Sequence, residues 1–153
     1  MIIKCSNTAK MLELGKQLAY KIQLPLVIFL HGGLGVGKTT FTRGILQGLG
    51  YNDVVNSPSY SIMESYHLPT SIVQHCDFYR IANPGTIAHL GLDEYWQENS
   101  LFCIEWPEHA IAMLPAPDLQ IYFRISAAEL RIVDLQSNSA LGNCILNNLA
   151  TVL

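Results

Sequence analysis

The stretch Gly32-Gly33-Leu34-Gly35-Val36-Gly37-Lys38-Thr39-Thr40 follows directly on the apolar run LVIFLH. A β-branched, apolar run of this length reads as a buried strand. The residues after it, KTTFTRGILQGLG, carry apolar side chains at 41, 45, 46 and 49, which suits a helix packed on a sheet. Between the two, Gly32-x-x-x-x-Gly37-Lys38-Thr39 has the full spacing of a phosphate-binding loop. Glycines at 32, 33, 35 and 37 remove Cβ atoms from a tight turn and let successive N–H groups of the loop, Leu34 and Val36 included, point inward. The helix N-terminus adds unpaired N–H groups and a favourable dipole for anions. In such a loop Lys38 reaches the β and γ phosphates of a nucleotide and the Thr39 hydroxyl ligates Mg²⁺. Thr40 is then placed for the α phosphate.

A phosphate loop of this kind also needs a carboxylate to position Mg²⁺ or its waters, since Thr39 supplies one protein ligand. Two acids terminate apolar runs: Glu105 after LFCI, and Asp77 after SIVQHC. On neighbouring strand ends both would face Thr39. We expect Glu105 on or next to the metal and Asp77 directing a metal-bound or attacking water, with the exchange of these roles left open. Trp106 restricts solvent beside the carboxylate and is a candidate nucleotide contact. Ser57-Pro58-Ser59-Tyr60-Ser61 places three hydroxyls between the loop helix and the next strand, and Ser59 is the candidate sensor of γ-phosphate or Mg²⁺. Tyr60, Tyr66 and Tyr79 read as half-buried strand residues. Arg80 is a candidate anchor for Asp77 or Glu64.

At 153 residues the chain is expected to form one domain, 1–153, large enough to bury a core. Charged residues make up only 14 % and the formal net charge is −3. That is sparse against a usual share of about 25 %, and it suggests surfaces covered by a partner or a deeply layered domain. A direct grip on DNA or RNA is disfavoured, because that needs clustered Lys and Arg. The cysteines at 5, 76, 103 and 144 form no CxxC pair, and Cys76 and Cys103 lie in apolar, strand-like runs. The N-terminus lacks the pattern of a secretory signal and no segment has the length to span a membrane, so a cytoplasmic location is the expectation.

Along the chain, Asn7 or Thr8 caps a first helix reaching about Lys21, with Met11, Leu14 and Leu18 as its apolar stripe. SYSIMESYHL and SIVQHCDFYRI read as two strands whose short connection requires antiparallel pairing. A mostly helical excursion broken near Gly91 follows. After it come the LFCIE strand, a turn at Pro107, a hairpin turning near residues 126–129, and a short C-terminal helix. The expected fold is α/β: a phosphate-loop, three-layer domain with a mixed, partly antiparallel sheet flanked by helices.

No N/T-K-x-D guanine motif is present, and the four arginines, at 43, 80, 124 and 131, form no lid of the kind a small-molecule kinase closes over its substrate. From the residues alone, an ATPase, a small-metabolite kinase and a non-hydrolysing nucleotide-gated assembly factor all stay open.

The series HGGLGVGKTTFTRGILQGLG, VNSPSYSIMESY, VQHCDFYRI, HLGLDEYW and LFCIEWPEHAIAMLP, in this order, resembles the TsaE (YjeE) family over nearly the whole chain. The family comprises small ATPases needed for threonylcarbamoyladenosine modification of tRNA. The resemblance implies ATP and Mg²⁺ as ligands, and Gly32 to Thr40 as the phosphate loop. It also implies Ser59 in the SPTY-type switch, Asp77 as an essential aspartate, and Glu105 as the metal-associated glutamate before Trp106. Thr8 falls on the adenine side. The implied partner is a TsaD–TsaB transferase complex, with no stable binding of tRNA by this chain alone. Gly33 stands where the family has an acidic or polar residue, and Val36 replaces the common alanine. SAAELR lacks the family's Gly-Arg pair, for which Arg131 is the substitute.

Overall fold

The computed structural model describes residues 1–83, 85–88, 90–126 and 130–152, with the side chains of Thr86 and Ala88 left out. Seven strands form one sheet: β1 (Ile2–Cys5), β2 (Leu26–His31), β3 (Met63–His67), β4 (Ile72–Asp77), β5 (Ser100–Glu105), β6 (Leu119–Ile125) and β7 (Arg131–Ser137). Their spatial order is β1-β7-β6-β2-β5-β4-β3. The central four, β6, β2, β5 and β4, run parallel. At the margins β3 pairs antiparallel with β4, and β7 with both β6 and β1. The sheet is therefore mixed, as the short β3–β4 connection requires.

β2 is buried from Leu26 to Leu30 because both faces of the sheet are covered at its centre. Alternation divides the core. Leu26, Ile28 and Leu30 join one cluster, with Leu101, Cys103, Val133 and the apolar stripes of three helices. Val27 and Phe29 join another, with Cys76, Phe78, Phe102, Ile104 and Leu92. The three helices are α1 (Thr8–Ala19), α2 (Lys38–Gly48) and, at the C-terminus, Ala140–Ala150. Among the described residues, the opposite face carries only a helical turn, Gly85–Ala88, and 3₁₀ turns at Leu92–Tyr95, Pro107–His109 and Ile111–Met113.

Asn7 caps α1 by accepting from the Lys10 N–H at 2.9 Å. That helix crosses α2 closely: a Cβ on Gly15 would stand 2.4 Å from the Phe41 carbonyl oxygen, and one on Gly44 2.3 Å from that of Leu12. Backbone contact of this kind holds the loop helix against the sheet. Burial of Phe41, Ile45 and Leu46 adds to it, each worth about 1.5–3 kcal/mol when fully removed from water.

Most elements follow the sequence pattern, and two features depart from it. β1 is absent from the sequence expectation, because IIKC is short and only two of its residues alternate inward; its pairing comes from β7, with Ile2 opposite Asp134. Tyr60, 84 % exposed in a turn ahead of β3, and Tyr79, 41 % exposed in a turn after β4, are no strand residues, whereas Tyr66 is a buried one. Most of the hairpin turn expected near 126–129, residues 127–129, and His89 of the HLGLDEYW motif lie outside the described residues. No helix among the described residues is long and apolar enough to cross a membrane.

Candidate functional site

The carboxyl ends of β2, β5 and β4 lie side by side, which is where parallel sheets gather ligands. The chain leaves β2 at His31, turns through Gly32 to Gly37 and enters α2 at Lys38. Gly32, Gly35 and Gly37 hold φ at 138°, 72° and 111°, a region L side chains avoid. At Gly32 crowding adds to the backbone requirement: a Cβ there would sit 2.4 Å from the Phe123 carbonyl oxygen. Gly33 differs from the sequence expectation. Its φ is ordinary and a Cβ would meet only Val36 Cγ1 at 3.9 Å, so the turn does not need this glycine. Val36 turns its side chain into the core, and Leu34 is exposed at the loop tip.

α2 starts at Gly37 with no side-chain cap, leaving its first N–H groups for a ligand. They open into a cleft of about 400 Å³ lined by Leu34, Gly35, Gly37, Lys38, Thr39 and Thr40 from the loop and helix. Its other walls are Ser57 and Ser59 from the hydroxyl-rich segment, Asp77 at the end of β4 with Tyr79 and Arg80 just beyond it, and Glu105 and Trp106 at the end of β5. The distant motifs of the sequence thus meet in one place. Thr8 does not line this cleft. It faces a smaller cavity of about 60 Å³ across the loop, shared with Met11, Gly35, Gly37, Thr40 and Arg131.

Lys38 is 4 % exposed, and its Nζ donates to the carbonyl oxygens of Gly32 at 2.7 Å and Gly33 at 2.8 Å. It also stands 4.3 Å from the centre of the Trp106 ring, a cation–π distance. Burial pulls the Lys38 pKa below the ordinary lysine value, against the carboxylates of Glu105, Asp77 and Glu108, which raise it. Trp106 itself adopts a left-handed backbone, φ 56°, and packs against Tyr79 with ring centres 5.0 Å apart. The sharp turn after Glu105 is what brings the indole back over the lysine.

The two acids are direct neighbours: Asp77 and Glu105 face each other in the register of β4 and β5. Thr39 Oγ1 donates to Glu105 Oε1 at 2.8 Å. Asp77 Oδ1 accepts the Tyr79 N–H at 3.0 Å. Burial drives the Asp77 pKa up; the Tyr79 hydrogen bond opposes this, the Glu105 charge reinforces it, and His75 and Lys38 oppose it. Arg80 anchors neither Asp77 nor Glu64 by an ion pair among the described residues. Its guanidinium lies 4.2 Å from the centre of the Tyr60 ring, tying the wall of the cleft to the hydroxyl-rich segment.

Two adjacent buried carboxylates, a hydroxyl, a helix N-terminus and a buried ammonium form a donor set suited to a polyphosphate with a divalent cation. No three His, Cys, Asp or Glu side chains among the described residues form a ready-made metal cage. Mg²⁺ bound with a nucleotide does not ask for one, since one or two carboxylates and the phosphates suffice.

Sequence reasoning missed His75, which is wholly buried with Nε2 2.9 Å from Glu105 Oε1. A histidine beside Gln74 inside a buried strand, two positions before the aspartate, was the available signal.

The model of the family described as threonylcarbamoyl adenosine biosynthesis protein TsaE matches residues 5–133. Among curated relatives, a tRNA threonylcarbamoyladenosine biosynthesis protein TsaE of Haemophilus influenzae is 36 % identical over 116 residues, covering 72 % of this chain and 73 % of its own. That of Bacillus subtilis is 36 % identical over 117 residues, 76 % of this chain and 71 % of its own. The crystal structure of Bacillus subtilis YdiB superposes with a TM-score of 0.84 at 26 % identity, covering 99 % of this chain and 94 % of that one. With the family model spanning most of the chain and two relatives 36 % identical over more than two thirds of it, the chain belongs to the TsaE family.

Proposed function

We propose that this chain is a weak, Mg²⁺-dependent ATPase that acts as an accessory protein in threonylcarbamoyladenosine modification of tRNA, joined to a TsaD–TsaB-type transferase complex. The observation that carries the reading is the Thr39–Glu105 hydrogen bond at the N-terminus of α2, with Lys38 and Asp77 in the same cleft. The relatives' names supply the pathway.

In this reading Gly33 to Thr40 cradle the phosphates with main-chain N–H groups, and Lys38 neutralises the β and γ oxygens. To serve them, its ammonium leaves the Gly32 and Gly33 carbonyls it now holds. The Thr39 oxygen would hold Mg²⁺ while its O–H stays donated to Glu105. The bound ion supplies charge neutralisation for the phosphoryl group. Asp77 orients water on the metal side of the cleft, and Ser59, which lines the same cleft, senses the γ-phosphate. Trp106 shields the lysine from solvent, and Thr8 contacts the adenine side through the smaller cavity it shares with Thr40 and Arg131.

The cleft is open, and Leu34 and Tyr60 expose apolar surface around it, as a site completed by a partner would. One domain spanning 1–153 fits this role. Phosphate release from Mg²⁺-ATP, measured with and without the transferase complex, tests the reading. Turnover that rises with the partners and is lost in Lys38→Ala supports it. A phosphorylated metabolite would make the chain a kinase instead, and ATP binding with no turnover beside the partners would make it a non-hydrolysing assembly factor.

A further inference from the structure

Glu105 sits at the end of a strand, where a carboxylate normally swings between rotamers. Here it is held. Thr39 Oγ1 reaches Oε1 at 2.8 Å and His75 Nε2 reaches the same oxygen at 2.9 Å. Both hydrogen bonds to described side chains end on Oε1, so Oε2 is the oxygen left for a cation or its water. His75 comes from the neighbouring strand. It pairs in register with Cys103, so its side chain shares a sheet face with both Asp77 and Glu105 and lies diagonally behind the glutamate.

The imidazole's other nitrogen decides which proton it carries. His75 Nδ1 is buried and has no hydrogen-bond partner. A proton there would be a donor with nothing to receive it. The arrangement that satisfies the most groups places the proton on Nε2, donated to Oε1. The residue is inaccessible to solvent and to any ligand in the cleft, so it touches no reacting group.

We propose that His75 is a positioning residue: through its Nε2–H it fixes the Glu105 carboxylate so that Oε2 faces the Mg²⁺ side of the phosphate site. The proposal rests on the nucleotide reading of the cleft for its purpose, though not for the hydrogen bond itself. Groups that orient ligands from behind in this manner change metal affinity by about 10–100-fold when removed.

The test compares His75→Phe, which keeps the ring volume and removes the donor, with His75→Gln, which restores an N–H near the position of Nε2. ADP affinity is measured by calorimetry in Mg²⁺ and in EDTA, alongside the thermal midpoint of each variant. The expected result is a loss of about 10–100-fold in the Mg²⁺-dependent part for His75→Phe, unchanged affinity in EDTA, and recovery of most of the loss in His75→Gln. Equal losses with and without Mg²⁺, no loss, or no recovery by the glutamine would overturn it. The imidazole ¹H–¹⁵N correlation of the wild-type chain gives a second reading that needs no variant to fold. A proton on Nε2 supports the positioning and a proton on Nδ1 overturns it. Wild-type ADP binding that ignores Mg²⁺ would instead contradict the nucleotide reading, and the tautomer would still decide what holds Glu105.

Discussion

Asp77 and Glu105 end adjacent parallel strands in register, two acids side by side and only 6 % and 3 % exposed. Nothing in the local preferences of either strand asks for this. Two buried carboxylates repel, and desolvation penalises each charge. The arrangement becomes favourable when a cation shares the space, and Lys38 supplies only one positive charge to the pair.

The two acids differ in what holds them, and this separates their expected effects. Glu105 is tied to Thr39 and His75, whereas Asp77 is tied to a backbone N–H of its own turn. Glu105→Gln should therefore weaken nucleotide binding chiefly in Mg²⁺, and Asp77→Asn should lower turnover while leaving more of the binding intact. Nucleotide titrations with and without Mg²⁺, set beside single-turnover phosphate release, check this. The reverse pattern would exchange the two roles.

Burial also gives Asp77 a stability signature. Its pKa is raised in the folded chain, so the native state holds the proton to higher pH than the unfolded state does. Native protein then binds more protons across the window from the ordinary carboxylate value up to the raised one, and stability falls as pH rises through it. Asp77→Asn removes this cost and keeps an oxygen for the Tyr79 N–H. The variant should melt above the wild type at neutral pH, and the difference should vanish near pH 4, about the pKa of an unperturbed aspartate. Thermal melts at both pH values measure it; a variant less stable than wild type at neutral pH would contradict it.

The loop glycines are not equivalent. Gly32→Ala forces a side chain into positive φ and against the Phe123 carbonyl, which should cost about 1–3 kcal/mol or more. Gly33→Ala meets open space at ordinary φ and should leave the chemical-denaturation midpoint nearly unchanged. Equal destabilisation by both would argue against this loop geometry.

How much of this could be read in advance follows from the range of each interaction. The strand–loop–helix at 26–48 was legible because its hydrophobic period, its glycines and its lysine act within a few residues of one another. The meeting of Thr39 with Glu105 spans 66 residues, and the strand-end acid announced it only through chain order. β1 was illegible because its four residues depend on β7, far along the chain, for every ladder bond. Tyr60 misled because alternation with polar neighbours imitates a strand, while Pro58 and the turn before β3 place it outside. His75 was passed over because a buried polar side chain in a strand has meaning only once its partner on the next strand is known.

Ser59 lines the same cleft as the acids, on the segment that Arg80 clasps through Tyr60. Ser59→Ala should leave the stability of the isolated chain within about 0.5 kcal/mol of wild type, as for substitutions away from core features. It should lower ATP-dependent stimulation of the transferase complex severalfold. Melting curves and the stimulation assay read the two effects separately, and a silent variant in both would remove Ser59 from the switch.

The central claim is that hydrolysis at this phosphate loop serves repeated rounds of tRNA modification. Its most direct test is multiple-turnover threonylcarbamoyladenosine formation by a TsaD–TsaB complex, with ATP and Mg²⁺, supplied with either the wild-type chain or Lys38→Ala. Many rounds are predicted with the wild type. With Lys38→Ala, phosphate release should fall by about 10²–10³-fold, the scale for losing one electrostatic donor, and modification should stop near a single round. Undiminished multiple turnover with Lys38→Ala, or with no chain added, would contradict the account.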